Sequence, residues 1–299
     1  MSSQYPKISI ITPNYNQGQY LEETILSVIG QNYPNLEYII IDGGSTDNSV
    51  EIIKKYEKHL AYWVSEKDNG MYEAIQKGFD RSTGEIMAWI NSDDKYHMGA
   101  FSIVAEVFSN FQEISWLTGI PTIWDKYGRC VKVNLSQLWS KYEMYAKHYL
   151  DKQNWIQQES TFWRRSLWKQ SGARLDTSLK LAGDFELWLR FFRYAQLYTV
   201  EALLGGFRIH HKQLSIAQHK QYLEEANLAL YREIENLPSE NKNHFKILKR
   251  YKVLMSFISR INIHSFKEKY YNLCEYPPKV IYNANQQKFE LYTTTYFRR

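Results

Sequence analysis

At 299 residues and 44% hydrophobic composition the chain can bury a full core, and one main domain with an appendage is the expected layout. Its two cysteines, Cys130 and Cys274, are too few for a disulfide framework or a thiolate metal site. No apolar run approaches the roughly 18 residues of a membrane span, and Met1 to Lys7 lacks a signal-peptide pattern, so a soluble or peripheral cytoplasmic protein is expected. Charge is uneven: residues 241–299 hold 12 Lys or Arg against 3 acids, a net of +9, and since the whole is +5 the first 240 residues carry −4.

Taken in chain order, Ile8-Ser9-Ile10-Ile11 predicts a first strand, broken by Thr12-Pro13-Asn14-Tyr15-Asn16. Leu21, Ile25, Val28 and Ile29 share one face of a helix predicted from about Tyr20 to Gln31. Leu36 to Ile41 reads as a second, buried strand, closed by Asp42-Gly43-Gly44-Ser45-Thr46-Asp47, and Val50 to Tyr56 returns as helix with Asp47 as its N-cap. Trp63-Val64 is a third strand. Asp68-Asn69-Gly70 marks a turn before a helix with Met71, Ala74, Ile75 and Phe79 on its apolar face, and Ile86 to Ile90 is a fourth strand. This alternation implies an α/β protein with a mostly parallel, Rossmann-like sheet covered on both faces. In such sheets ligands bind at the carboxyl ends of the strands, where the polar clusters of this chain lie.

Trp89-Ile90-Asn91-Ser92-Asp93-Asp94 is the most informative stretch, an apolar run that ends in two adjacent carboxylates. Hard oxygen ligands at a strand end hold Mg²⁺ or Mn²⁺ against a diphosphate. A solvated turn is the alternative. Asp42 precedes two glycines, where backbone approaches a ligand closely; its carboxylate can accept an N–H or O–H from a base or ribose, or cap its own turn. Tyr15 can stack on a base or belong to the core, and the helix that follows Asp68-Asn69-Gly70 presents its N-terminus to a phosphate.

The segments ISIITPNYNQGQYLEETILSVIGQNYPNLEYIIIDGGSTDNS, SEKDNGMYEAIQKGF and TGEIMAWINSDD, with AGDFELWLRF and FRIHHKQLS further on, resemble the inverting glycosyltransferases of family 2. The resemblance implies the nucleotide-diphospho-sugar transferase fold called GT-A over residues 1–215, with a nucleotide-binding half over about 6–115 and an acceptor half over about 116–215. A helical, basic region would follow over 216–299. It implies a donor site of Thr12, Pro13, Tyr15, Asp42, Asp68, Asn69, Gly70, Asn91, Ser92 and Asp93. It further implies Mn²⁺ or Mg²⁺ on Asp93, Asp94 and His210, and Asp184 as catalytic base. Gln158, Ser160 and Arg164 would border the site. Three positions depart from the family pattern: Gly43, Asn91 and Gly183 stand where many relatives carry an acid.

Asp184 lies beside Phe185 and Trp188, so it should lose hydration and have a raised pKa, as a general base for an acceptor hydroxyl requires. A helix N-cap is its other reading, and Glu186 is the alternative base. The expected function is transfer from a nucleoside-diphosphate sugar, a UDP-sugar favoured, to a glycan or lipid-linked acceptor, with inversion at C1, in cell-surface polysaccharide synthesis. A non-catalytic sugar-nucleotide-binding scaffold is the alternative; a dinucleotide oxidoreductase is disfavoured because the first strand-to-helix turn lacks G-x-G-x-x-G. Trp116, Trp124, Trp139 and Trp155 suit stacking on sugars or the core. The segment HFKILKRYKVLMSFISRINIHSFKEKYYNL mixes cations with apolar residues at helical spacing, so it lies on an anionic membrane at the inner face of the cell or packs on the main domain. No nucleic-acid motif accompanies it.

Overall fold

The structure, a computed structural model, describes residues 5–210, 218–258 and 264–293. Strands β1 (Ile8–Asn14), β2 (Leu36–Asp42) and β4 (Ile86–Trp89) are buried on both faces apart from Leu36, the condition that β-branched runs without alternation satisfy in a parallel sheet. β1 pairs in parallel with β2 and β4, and β2 with the half-buried edge strand β3 (Tyr62–Ser65). The intervening helices are α1 (Gly18–Ile29), α2 (Ser49–Tyr56) and α3 (Met71–Arg81). Asp47 is not the N-cap of α2, a position held by Asn48. Its two oxygens instead accept the Ser49 and Gly18 N–H groups, at 3.0 and 2.9 Å, and so join the starts of α2 and α1.

After β4 the chain forms β5 (Lys95–Tyr96), α4 (Ala100–Asn110), β6 (Trp116–Thr118), β7 (Thr122–Trp124) and β8 (Cys130–Val133). The short helices α5 (Lys141–Tyr145) and α6 (His148–Asp151) lead to β9 (Thr161–Arg164), α7 (Arg165–Gln170), α8 (Gly183–Phe192), β10 (Tyr198–Thr199) and β11 (Gly205–Arg208). The main sheet runs β10-β6-β9-β4-β1-β2-β3, with β9 antiparallel to both neighbours. A second sheet, β5-β11-β7-β8, stands beside its carboxyl edge. Trp188 of α8 stacks between Trp89 of β4 and Trp116 of β6, at centroid distances of 5.9 and 5.6 Å. Trp116 and Trp139 are therefore core residues and not sugar platforms, and the stack fixes α8 on the sheet.

The C-terminal region is not wholly helical. α9 (His219–Asn236), α10 (Ser239–Ile258) and α11 (His264–Cys274) are followed by a hairpin, β12 (Lys279–Asn283) and β13 (Lys288–Tyr292). The hairpin meets the sheet edge next to β10 through a Val200–Val280 bridge and the Glu201 N–H to Val280 C=O bond of 2.8 Å. Ala226, Ala229 and Leu230 of α9 and Leu248 of α10 are buried, and Ser140 donates to the Cys274 carbonyl, so the region packs on the rest of the fold. The expected membrane-facing segment thus has one face committed to packing.

Gly205 is a position where the fold requires a glycine for space: a Cβ there would lie 2.0 Å from the Glu159 carbonyl oxygen. That contact seats β11 against the turn carrying Glu159. Gly205→Ala should destabilise the protein by about 1–3 kcal/mol or more, the scale of overpacking against backbone; urea unfolding measures it.

Candidate active site

The carboxyl ends of β1, β2, β3 and β4 open into one cleft of about 1100 Å³. Pro13, Asn14 and Tyr15 line it from β1, Gly43, Gly44 and Thr46 from β2, Lys67, Asp68 and Gly70 from β3, and Asn91, Ser92 and Asp93 from β4. The opposite wall consists of Gln158, Glu159, Leu181, Asp184 and Phe207, with Gln218, Gln221 and Tyr222 from α9 and the segment before it. Most of the expected donor residues and the expected base therefore share one cavity.

Four expectations need correction. Thr12 is fully buried and meets the Tyr38 hydroxyl at 3.1 Å, so it supports the first loop from behind and does not line the cleft. Asp42 is also fully buried, and both its oxygens are engaged: Asn14 Nδ2 donates at 2.6 Å, the Ser45 N–H at 2.9 Å, and the Ser45 and Ser65 hydroxyls at 2.5 Å each. This places it in the turn-capping role. Asn69 turns its side chain outward to Glu73, at 2.6 Å, because that carboxylate sits one helical turn away. Asp94 is buried behind the strand end; its Oδ1 accepts the Arg208 N–H at 2.7 Å. Burial and the Glu159 charge push the Asp94 pKa well above the ordinary range. Asp94, unlike Asp93, does not line the cleft, so its carboxyl is not presented to a ligand there. Of the bordering residues, Gln158 donates to the Trp89 carbonyl at 2.5 Å and lines the cleft, whereas Ser160 and Arg164 are structural, the guanidinium bonding the Ile114 carbonyl at 2.9 Å.

Asp93 and His210 come together as expected, His210 Nε2 lying 2.9 Å from Asp93 Oδ2. The imidazole is fully buried and packs on Tyr20 with centroids 4.7 Å apart. Beneath them, the buried Arg208 bonds the Asp93 carbonyl at 2.5 Å and Glu23 at 2.8 Å, while Thr24 of α1 donates to the Ser92 and Asp94 carbonyls. Among the described residues no cluster of three His, Cys, Asp or Glu side chains is arranged to hold a metal. Two ligands do fit one: cis ligands at about 2.1 Å from an octahedral ion lie about 3 Å apart, which is the Asp93–His210 separation. Diphosphate and water oxygens would complete such a shell.

Asp184 is the second residue of α8 and accepts the Phe185 N–H at 2.8 Å, with the Tyr72 hydroxyl 3.5 Å away. Burial lifts its pKa to about 6, against the opposing effect of the Phe185 N–H. Glu186 is engaged in an ion pair with Arg190 at 2.8 Å and does not line the cleft, which removes the alternative base. Glu159 was not singled out in the sequence; burial pushes its pKa up to about 7, with the Asp184 and Asp93 charges adding to the rise. Its neighbour Gln158 carried the only signal. Asn14, Gln17, Asn91 and Gln158 each keep a buried amide oxygen without a partner, a cost of about 1–3 kcal/mol apiece that a ligand N–H or hydroxyl would relieve.

Two of the glycine departures have steric explanations. A Cβ at Gly43 would meet Asp68 Oδ2 at 2.8 Å, so the Asp68 carboxylate occupies the space where a second acid of the turn would start. A Cβ at Gly183 would lie 2.8 Å from the Tyr72 ring.

The family model for "Glycosyl transferase family 2" matches residues 9–170, more than half of the chain. The chain belongs to glycosyl transferase family 2. A Rickettsia typhi uncharacterized glycosyltransferase, RT0329, is 27% identical over 210 residues, which is 70% of this chain and 65% of that protein. The chain thus spans under two thirds of that relative's length. The fold is shared with Staphylococcus aureus TarS residues 1–349 in complex with UDP-GlcNAc, at a TM-score of 0.63 and 17% identity over 89% of this chain and 79% of that one. It is also shared with the mannosyltransferase PcManGT of Pyrobaculum calidifontis in complex with GDP-Man and Mn²⁺, at a TM-score of 0.53 and 13% identity over 90% and 84%.

The raised Asp184 pKa carries a stability signature. The proton it keeps contributes stability that is fully present below the ordinary value of 3.8 and is lost as pH rises through about 6. Asp184→Asn, neutral at every pH, should therefore melt a few degrees higher than wild type at pH 8 and nearly equally at about pH 3, below the ordinary value; calorimetric melting at the two pH values checks it.

Proposed function

We propose that this family 2 member transfers a sugar from a nucleoside-diphosphate donor, a UDP-sugar favoured, to a hydroxyl of a glycan or lipid-linked acceptor, by single displacement with inversion at C1. Cell-surface polysaccharide synthesis is the setting proposed. The observation that carries the reading is that Asp184, with its raised pKa, lines the same cleft as Asp93, whose carboxylate is bonded by the buried His210. In this reading the strand-end loops hold the nucleotide, with Asp68, Asn91 and the unpartnered amide oxygens facing its polar groups. Asp184 takes the acceptor proton while the acceptor oxygen bonds to C1 and the C1–O bond to diphosphate breaks. Mn²⁺ or Mg²⁺ held by Asp93 and His210 would offset the charge that builds on the departing diphosphate. The neighbours in complex with UDP-GlcNAc and with GDP-Man and Mn²⁺ support a nucleotide-sugar donor and a metal.

A panel of nucleotide sugars with Mn²⁺, followed by release of free nucleotide, tests the reading. Turnover should rise with pH through about 6, because the base acts only when deprotonated. Asp184→Asn should lower turnover roughly 10²-fold while leaving UDP affinity within a few-fold. Asp93→Ala should lose Mn²⁺-dependent UDP binding, and Asp94→Asn should keep it. A wild-type protein that binds nucleotide sugars but turns over none would favour the scaffold instead.

Peripheral attachment to the inner face of a membrane belongs to the same proposal. The exposed side of α10 carries Lys246, Lys249 and Arg250 beside Ile247, Val253 and Leu254. Each cation near an anionic surface contributes about 1 kcal/mol. Wild type should co-sediment with vesicles rich in anionic lipid at low salt and much less at high salt. Lys246, Lys249 and Arg250 all changed to Glu should abolish the binding; equal pelleting of the two proteins would refute it.

A further inference from the structure

The residues that lead into α8 have backbone N–H groups that no helical turn can satisfy. The N-cap position is Ala182, whose side chain has no acceptor. The acceptor comes from elsewhere in the chain. Glu225 Oε2, on α9, accepts the N–H groups of Lys180, Leu181 and Ala182, at 3.1, 2.9 and 3.1 Å. Its other oxygen accepts Gln221 Nε2 at 3.1 Å, which holds the carboxylate in place. On the other side of the same segment the Tyr72 hydroxyl, from α3, donates to the Leu181 carbonyl at 2.7 Å and receives the Asp184 N–H at 3.4 Å.

These bonds converge on the segment two to four residues before Asp184. Three N–H groups directed at one carboxylate are charge-assisted and fix the segment's position as well as its hydrogen bonding. Tyr222, about one turn earlier on α9, lines the cleft beside Asp184. α9 lies outside residues 9–170, the part matched by the family model.

We infer that Glu225 is a positioning residue for Asp184: from α9 it holds the segment 180–182, so that the Asp184 carboxyl stays seated in the cleft. The inference rests on Asp184 being the base. Without Glu225, three N–H groups, two of them partly buried, lose their acceptor, the start of α8 loosens, and water reaches Asp184. Its carboxyl then moves back toward ordinary behaviour and away from the acceptor.

The test compares Glu225→Ala, Glu225→Asp and Glu225→Gln with Glu224→Ala, a neighbouring exposed acid that pairs with Lys220 at 3.9 Å. Four readouts are taken: turnover per folded molecule, UDP affinity with Mn²⁺, the melting temperature, and titration of the Asp184 carboxyl by carbon NMR, assigned from its loss in Asp184→Asn. Glu225→Ala should lower kcat about tenfold or more, a scale typical of misplacing a reacting group by an ångström or less. Its UDP affinity should stay within about twofold, since the donor loops are untouched, and its Asp184 midpoint should fall below that of wild type. Glu225→Asp, too short to reach all three N–H groups, should move the same way, and carries the test if Glu225→Ala does not fold. Glu225→Gln keeps an acceptor oxygen and should recover most of the activity, and Glu224→Ala should match wild type. A lower melting temperature in Glu225→Ala or Glu225→Asp with unchanged kcat and Asp184 midpoint would mean a purely structural contact and overturn the inference. If Asp184→Asn is inactive and the Glu225 variants are not impaired, only the positioning role falls; if Asp184→Asn is fully active, the base assignment falls and takes this role with it.

Discussion

Four carboxyl groups stand close together, Asp93, Glu159 and Asp184 lining one cleft and Asp94 buried behind it, and burial raises the pKa of Asp94, Glu159 and Asp184. Such a cluster is tolerable only if protons and cations are shared unequally. The Asp94 carboxyl is pushed well above the ordinary range; Arg208 bonds the Asp93 carbonyl under the strand end; His210 bonds Asp93. The outcome separates the roles of neighbouring acids, with Asp93 turned to the cleft beside an imidazole and Asp184 left with a pKa suited to proton transfer near neutrality.

The position of Asp184 is in turn a property of the whole fold. Trp188 holds α8 to the sheet by stacking between Trp89 and Trp116, and α3 and α9 grip the segment that leads into it through Tyr72 and Glu225. The C-terminal helices are thus continuous with the site, and α9 provides part of its wall. This arrangement joins the β4 end, which carries Asp93, to the helix that carries Asp184 through packed aromatic rings with little freedom to shift.

The departures from the family pattern fit the same geometry. Asp68 fills the space beside Gly43, and Tyr72 fills the space beside Gly183, so in both places a side chain from another element takes the volume that an acid's Cβ would need. Asn91 keeps an amide directed at Asp94, 3.3 Å away, and an amide oxygen without a partner. With Asp93, Asp94 and Glu159 already close by, a further acid at position 91 would add repulsion to a crowded site.

The strands β1 to β4, the helices between them and the turn from Asn91 to Asp94 were legible in the sequence because their signals are local: β-branched runs, helical spacing, and polar breaks at strand ends. The family motifs likewise picked out Asp93 and Asp184, which line one cleft, and His210, which bonds Asp93. The orientation of Asp42 and Asp94 was not legible, since a carboxylate at a strand end can turn toward the cleft or away, and the partners that decided this, Ser65, Arg208 and Glu159, lie 23 to 114 residues distant. Glu159, Tyr72 and Glu225 were missed for the same reason: each is unremarkable among its sequence neighbours and acquires a role only from what folding brings against it. The closing hairpin was missed because two five-residue strands around a polar turn carry little periodicity. Sequence determined which elements form and which residue types stand at their ends; tertiary packing decided which of those side chains face the cleft, because burial and hydrogen bonding are satisfied between elements and not along them.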